Sequence, residues 1–440
     1  MYAKDGFAVI DGAGRNYLRL KQIFGENVTA NQTHTGSFSR RIKTHIVGPQ
    51  YRFAIVVPPE LSQICLNETR LLDMQEPAAS EAGVEFTGRL NNAYVCNLWL
   101  RSASRVLCRL VPFRAGVTEE LFYKVSRIPW ELWLNPEVRL DIDAHVEHSR
   151  ISHEGRVAEI ISESIEKSLR KRGSAYSAEG MVHDPPGEAG SKPGIDDTGF
   201  KQKILVRLVD NQCQISLDTS GAHLHERGYR LRHTGAPLRE TLAAAILLKS
   251  GWRSNEPLID GMCGSGTFPI EAALISRRIA PGFGRDFLFQ RWPSFQMETW
   301  RYLLRKASEA MLLKVPDAII GIDIDPEAIG VSAENASRAG VTGDIEFERM
   351  DFFEFNPRKR GLKKGLLVLN PPYGVRLDAG GIGLYERIGA HLRLNFKGWK
   401  YAVLAGSRPE GASLGMGRVR LWNIRHGGMP ITVVLGKVAV

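Results

Sequence analysis

Apolar and polar positions along the chain alternate in short, mixed segments over the first half and settle into a regular beat over the second. Residues 53–57 (FAIVV) are an apolar run stopped by Pro58-Pro59, the pattern of a buried strand. Residues 84–88 alternate apolar and polar before a glycine turn, and residues 138–146 (VRLDIDAHV) alternate strictly, as a half-buried strand does. Residues 98–110 (LWLRSASRVLCRL) have helical spacing and predict a helix with Arg101, Arg105 and Arg109 along one face. A helix is expected over 157–169, and strands over 204–209 and 213–217. Residues 1–52 mix Gly, Asn, Thr and His around the cluster Arg40-Arg41-Ile42-Lys43 and read as a loosely ordered basic extension. Residues 172–199 are rich in Gly, Pro, Ser, Asp and Ala and read as a flexible insertion.

In the second half, apolar strand patterns at 258–259, 318–322, 345–348, 366–369 and 401–405 are separated by helical ones, which implies a doubly wound parallel sheet. Two further strands, 419–422 and 431–438, are too close in sequence for a helical crossover and should pair antiparallel as a hairpin at one edge. The fold class is therefore α/β: a seven-stranded Rossmann-like sheet, preceded by a smaller α+β region.

Charge adds a partner class. Lys and Arg outnumber Asp and Glu by 58 to 48, a formal net charge of +10, which favours a polyanion because each neutralised phosphate releases counterions. The five cysteines form no CxxC pair, which argues against a disulfide framework and against a zinc ribbon, so no metal is expected. No apolar run approaches the ~18 residues of a membrane span, and the N-terminus lacks the apolar core of a signal peptide and carries Asp5, Asp11 and Glu26, so a cytoplasmic location is expected.

Four motifs carry chemistry. Asp260-Gly261-Met262-Cys263-Gly264-Ser265-Gly266-Thr267-Phe268 follows a strand and opens a helix, and its G-x-x-G-x-G spacing differs from the dinucleotide fingerprint. Gly321-Ile322-Asp323-Ile324-Asp325 ends a second strand. Asp323 suits two ribose hydroxyls, whereas Asp325, followed by Pro326, reads as a helix N-cap. Met350-Asp351-Phe352-Phe353 follows a third strand, and Asp351 suits an adenine amino group with Phe352 against the ring. Asn370-Pro371-Pro372-Tyr373-Gly374 follows a fourth. An aromatic exocyclic amine is a poor nucleophile until acceptors hold its N–H bonds and free its lone pair. The Asn370 side-chain oxygen and the Pro371 carbonyl are two such acceptors, Pro372 fixes backbone direction, and Tyr373 offers a face for the base.

These motifs in this order resemble class I S-adenosylmethionine (SAM)-dependent methyltransferases that act on amino groups. HERGYR (225–230), APLRETLAAAILLKSGW (236–252), GVEFTG (83–88) and LRSASRVL (100–107) narrow the resemblance to THUMP-domain RNA methyltransferases, above all the bacterial 23S rRNA guanine-N2 enzymes. The resemblance covers residues 53–440 and implies a ferredoxin-like segment plus a THUMP module over 53–220 and a catalytic domain over 221–440. It implies SAM as cofactor, held by Asp260, Cys263, Gly264, Ser265, Gly266, Thr267, Asp323, Ile324, Asp351 and Phe352. It implies catalysis by Asn370, Pro371, Pro372 and Tyr373, and an RNA partner, rRNA ahead of tRNA, gripped by Arg101, Arg105, Arg109, Arg227 and Arg230. The segment 281–316, rich in aromatics, is shared with that family and accounts for the long interval between Gly266 and Asp323. Residues 1–52 have no counterpart in the family, and no second methyltransferase domain, which some members carry, follows in this sequence. Rival readings are a glutamine-N5 protein methyltransferase, an adenine-N6 nucleic-acid methyltransferase, and a catalytically silent RNA-binding assembly factor. A bulky residue at Gly266 is expected to abolish SAM binding while the fold persists.

Overall fold

A computed structural model describes residues 36–81, 83–176, 201–231, 238–372 and 381–440. Its front sheet comprises β1 (Tyr51–Val56), β2 (Gln75–Ser80), β3 (Gly83–Gly88), β4 (Arg105–Arg109), β5 (Phe113–Arg114), β6 (Arg139–Glu147), β7 (Lys201–Val209) and β8 (Gln212–Asp218). The strand order is β2-β3-β1-β4-β8-β7-β6, with β5 beside β8. Five helices accompany it: α1 (Ser37–Ile42), α2 (Ser62–Leu71), α3 (Leu90–Trp99), α4 (Thr118–Ser126) and α5 (Glu154–Tyr176). Phe53 and Phe86, opposite each other on β1 and β3, stack at 4.9 Å in the core beneath.

Three expectations change here. Residues 98–110 are not one helix: α3 ends at Trp99 and the chain turns into β4, which pairs with β1 on one side and β8 on the other. Val106 and Cys108, two residues apart, are both fully buried, which is strand period, and the long-range ladder overrides the local helical spacing. The three arginines therefore share no helix face. Arg101, only 4% exposed, donates to the Ile279 carbonyl at 2.6 Å. Arg105 pairs with buried Asp218, and Arg109 pairs with Glu85 at 2.9 Å. The extension is also ordered from residue 36: α1 continues as a π-helical turn over Lys43–Val47 that buries Ile46, and Arg41 pairs with Glu131 at 2.6 Å. Finally, α5 runs on to Tyr176, so the start of the expected insertion is helical, and residues 177–199 lie outside the described residues.

The second sheet is β9 (Leu258–Asp260), β10 (Ile319–Asp323), β11 (Glu346–Arg349), β12 (Leu366–Leu369), β13 (Lys400–Ala405), β14 (Val419–His426) and β15 (Met429–Lys437). Its order is β11-β10-β9-β12-β13-β15-β14; the first five are parallel, and β15 and β14 close the edge as an antiparallel hairpin. Buried on both sides, β12 reads as an unbroken apolar run, as a central parallel strand should. The helices are α6 (Glu240–Lys249), α7 (Thr267–Ser276), α8 (Met297–Ala310), α9 (Pro326–Arg338), α10 (Gly381–Asn395) and α11 (Arg408–Ser413).

The aromatic segment between α7 and β10 fastens the two sheets together. Phe289 stacks on Tyr94 of α3 at 4.2 Å, Trp300 meets Tyr94 edge-on, and the Trp292 indole N–H donates to Gln202 on β7 at 2.8 Å. Arg285 donates to the carbonyls of Ala222, His223 and Leu224 in the connecting chain. No helix among the described residues is long and apolar enough to cross a membrane.

Candidate active site

Four parallel neighbours, β11, β10, β9 and β12, end side by side, so the residues at their carboxyl ends meet on one rim. Asp260 ends β9, Asp323 ends β10, Asp351 follows β11 and Asn370 follows β12. This is where open α/β sheets bind ligands. The loop from Gly261 to Gly266 is strung across this rim: the Cys263 N–H donates to the Ile322 carbonyl at 2.9 Å and the Gly261 N–H to the Val368 carbonyl at 3.3 Å.

Asp323 clips two turns at once. One carboxylate oxygen accepts from the Gly264 N–H at 2.8 Å and the other from the Asp325 N–H at 3.0 Å. A carboxylate has about four lone-pair sites, so both oxygens retain capacity for a ligand. Asp325 caps α9 by accepting from the Glu327 N–H at 2.9 Å, as its Pro-flanked position predicted. Ile324, next to Asp323, is 66% exposed and offers an apolar face at the rim. Asp260 is 1% exposed and accepts only weakly from the Met262 N–H at 3.3 Å. Burial pushes its carboxyl well above the usual range, and the Asp323 charge adds to this. Cys263 is a buried thiol whose pKa burial likewise raises, so it is poorly suited to nucleophilic work.

Asp351 accepts from the Phe353 N–H at 2.9 Å and begins a short 3-10 turn. The Phe352 ring does not face the rim. It is 2% exposed, packs against His391 at 4.9 Å and Phe396 at 6.0 Å, and lies directly beneath Gly261, where a Cβ would collide with it. Its ring is therefore core, and only its backbone is available to a ligand. Pro371 is buried and Pro372 exposed; Tyr373 lies outside the described residues. The Asn370 side-chain oxygen is buried, and no donor reaches it among the described residues. A buried acceptor left unpaired costs about 1–3 kcal/mol, so such a group calls for a partner.

Sequence reasoning missed the supports behind the loop. Asn335 on α9 donates to the Ser265 carbonyl at 3.1 Å, a contact that no motif announces because Asn335 lies ten residues beyond Asp325, far along α9. Half-buried Arg230 donates to the Thr267 hydroxyl at 2.8 Å and pairs with Glu240 at 3.4 Å, and Arg227, which is buried, sits 3.5 Å from Glu271 and donates to the Arg101 carbonyl. These two arginines hold the start of α7 and the connecting chain in place, so their guanidiniums are not displayed to RNA.

Gly264 and Gly266 both have left-handed backbones, φ +52° and +80°. At Gly266 the close neighbour is the protein itself: a Cβ would stand 2.9 Å from the Ser332 Cβ on α9 and 3.3 Å from the Phe347 ring. The expectation that a bulky variant keeps its fold is thus corrected. Gly266→Val should destabilise the protein by about 2–5 kcal/mol, from left-handed strain plus overpacking. Urea denaturation checks this, and an unchanged midpoint would remove the steric argument.

Comparison with known proteins agrees with this geometry. A family model described as the RMKL-like methyltransferase domain matches residues 227–425, and one described as the RlmL ferredoxin-like domain matches residues 52–107. The ribosomal RNA large subunit methyltransferase K/L of Syntrophotalea carbinolica is 34% identical over 86% of this chain and 52% of its own length, so the chain spans about half of such relatives. The Synechocystis sp. protein slr0064, described as a candidate RNA methyltransferase, is 33% identical over 85% of this chain and 93% of its own length. The crystal structure of SMU.472, described as a candidate methyltransferase complexed with SAH, superposes with a TM-score of 0.75 at 28% identity, covering 89% of this chain and 99% of that one. With its sheet order, glycine loop and row of strand-end carboxylates, the chain belongs to the RMKL-like family of SAM-dependent methyltransferases.

Proposed function

We propose that the protein transfers a methyl group from SAM to the exocyclic N2 amine of a guanine in structured RNA, with large-subunit rRNA as its cytoplasmic substrate. SAM supplies an electrophilic methyl on a sulfonium. The residues on the rim suit it: the carboxylates of Asp323 and Asp351 match its ribose hydroxyls and adenine amino group, Ile324 offers its adenine an apolar face, and the buried Asp260 carboxyl, which burial disfavours as an anion, would gain a cationic partner from it.

The observation that carries the reaction type is the buried Asn370 oxygen at the end of β12, which no donor reaches among the described residues. With the Pro371 carbonyl it would hold both N–H bonds of the target amine and leave the nitrogen lone pair free to form the new N–C bond as the methyl–sulfur bond breaks, one amine proton being lost to water. The guanine must be swung out of its stack to reach this depth, and Tyr373 is assigned to stack on it. This is catalysis by positioning, with no covalent intermediate on the protein. Residues 53–220 are assigned to RNA capture, with the THUMP module among them, and 221–440 to transfer.

The test is transfer of labelled methyl from SAM to unmodified large-subunit rRNA, followed by nucleoside analysis. N2-methylguanosine is expected. N6-methyladenosine would overturn the guanine assignment, and methylation of a protein glutamine without RNA labelling would overturn the RNA assignment.

A further inference from the structure

The end of the catalytic sheet opposite Asn370 carries a concentration of cations that methyl transfer does not use. The strand registers bring them together. Leu366 at the start of β12 lies beside Lys400 of β13, Lys400 lies beside Lys437 of β15, and Leu258 of β9 lies on the other side of Leu366. The residues just outside these positions are Arg253 before β9, Lys363 and Lys364 before β12, and Lys397 before β13. Arg418 precedes β14, whose first residue is opposite Gly436, so it joins the same end.

Arg253, Lys363, Lys364, Lys397, Arg418 and Lys437 are all exposed, and among the described residues no carboxylate pairs with any of them. The nearby Glu256 is already taken by Lys400, at 2.7 Å, and Arg360 is already paired with Glu346 and Glu348. Like charges set side by side repel, so such a row gathers counterions about it. Such a row suits a polyanion whose phosphates displace the counterions gathered there.

We infer that this rim is a second contact for RNA, binding the phosphate backbone of a part of the fold other than the one that presents the target base. The inference rests on the RNA reading of the active site. Six residue steps along β12 and its flanks lead from Lys364 to Asn370, roughly 20 Å at strand rise. The two ends of the strands face opposite ways, so a single straight stem that presents its base at one end runs away from the other; a large folded RNA with a second arm can turn back to it. The rim therefore favours a long, structured substrate over an isolated hairpin.

The experiment compares wild type with Lys363→Glu/Lys364→Glu/Lys397→Glu, and with the same three positions changed to Gln. The probes are in vitro transcribed large-subunit rRNA and a single short hairpin, titrated over a range of salt, with SAM affinity and thermal midpoint measured alongside. The Glu variant is expected to bind rRNA at least ~10-fold more weakly, with the slope of log affinity against log salt reduced by roughly two to three, one phosphate contact per lysine. The Gln variant should shift the same way by less, hairpin binding should be unaltered, and SAM affinity and melting should match wild type. If wild type binds rRNA and the Glu variant binds it equally well with the same slope, the rim is not an RNA contact while the active-site reading stands. If wild type neither binds nor methylates RNA, both fall.

Discussion

Asn370→Ala is expected to lower single-turnover methyl transfer by about 10²-fold or more, the scale of losing one preorganised polar contact in a transition state, while SAM affinity stays within about twofold. The split follows from where the side chain sits. Its oxygen is buried at the end of β12 without a donor, whereas the groups assigned to SAM lie on β9, β10 and after β11. The variant also removes an unpaired buried acceptor, so it should not destabilise the apo protein. Three measurements check this together: labelled-methyl transfer, calorimetric titration with SAM, and a thermal melt. A wild-type rate in the variant would refute the amine-holding role, and a parallel loss of SAM affinity would move Asn370 into the cofactor site.

Asp260→Asn should act with opposite signs on binding and on stability. Burial holds the Asp260 carboxyl well above its ordinary range. The folded state therefore binds its proton more tightly than the unfolded state. Stability from this group is fully present below the unfolded carboxylate pKa and is lost as pH rises toward the folded one. At neutral pH the carboxylate thus costs stability, and the amide, which keeps an oxygen for the Met262 N–H, should raise the melting temperature. The gain should vanish in acid below the ordinary carboxylate pKa. SAM affinity should fall roughly 10- to 100-fold, the worth of one charge-assisted hydrogen bond. Melting as a function of pH, paired with SAM titration, separates the two effects. A variant no more stable than wild type at neutral pH would show that burying the Asp260 carboxyl does not cost the apo protein stability.

The strands of the catalytic half were legible because their signals are local and repeat. Unbroken apolar runs such as 366–369 mark strands buried on both faces, and a strand-end carboxylate or glycine loop after each one marks the ligand side. The edge hairpin followed from chain length alone, since residues 423–430 between the two expected strands leave no room for a crossover helix; the structure shortens the turn to residues 427 and 428. Asp325 as a cap was equally local, being written in its Pro-flanked position.

Where local spacing competed with distant partners, the tertiary structure decided. Residues 105–109 satisfy a helical pattern, yet they form the strand that joins β1 to β8, because ladder partners from residues 52–56 and 216–218 claim their backbone. Phe352 looked like a stacking face, but Gly261 and Phe396, remote in sequence, close over its ring. The fate of the five arginines was likewise invisible in the sequence. A guanidinium is available to RNA only if no carboxylate or carbonyl in the fold has reached it first, and Asp218, Glu85, Glu271, Glu240 and the Ile279 carbonyl come from elsewhere in the chain. Composition alone determined that this protein carries excess positive charge; only the strand registers determined which cations stand together unpaired, because ion pairing depends on distances that sequence separation does not set.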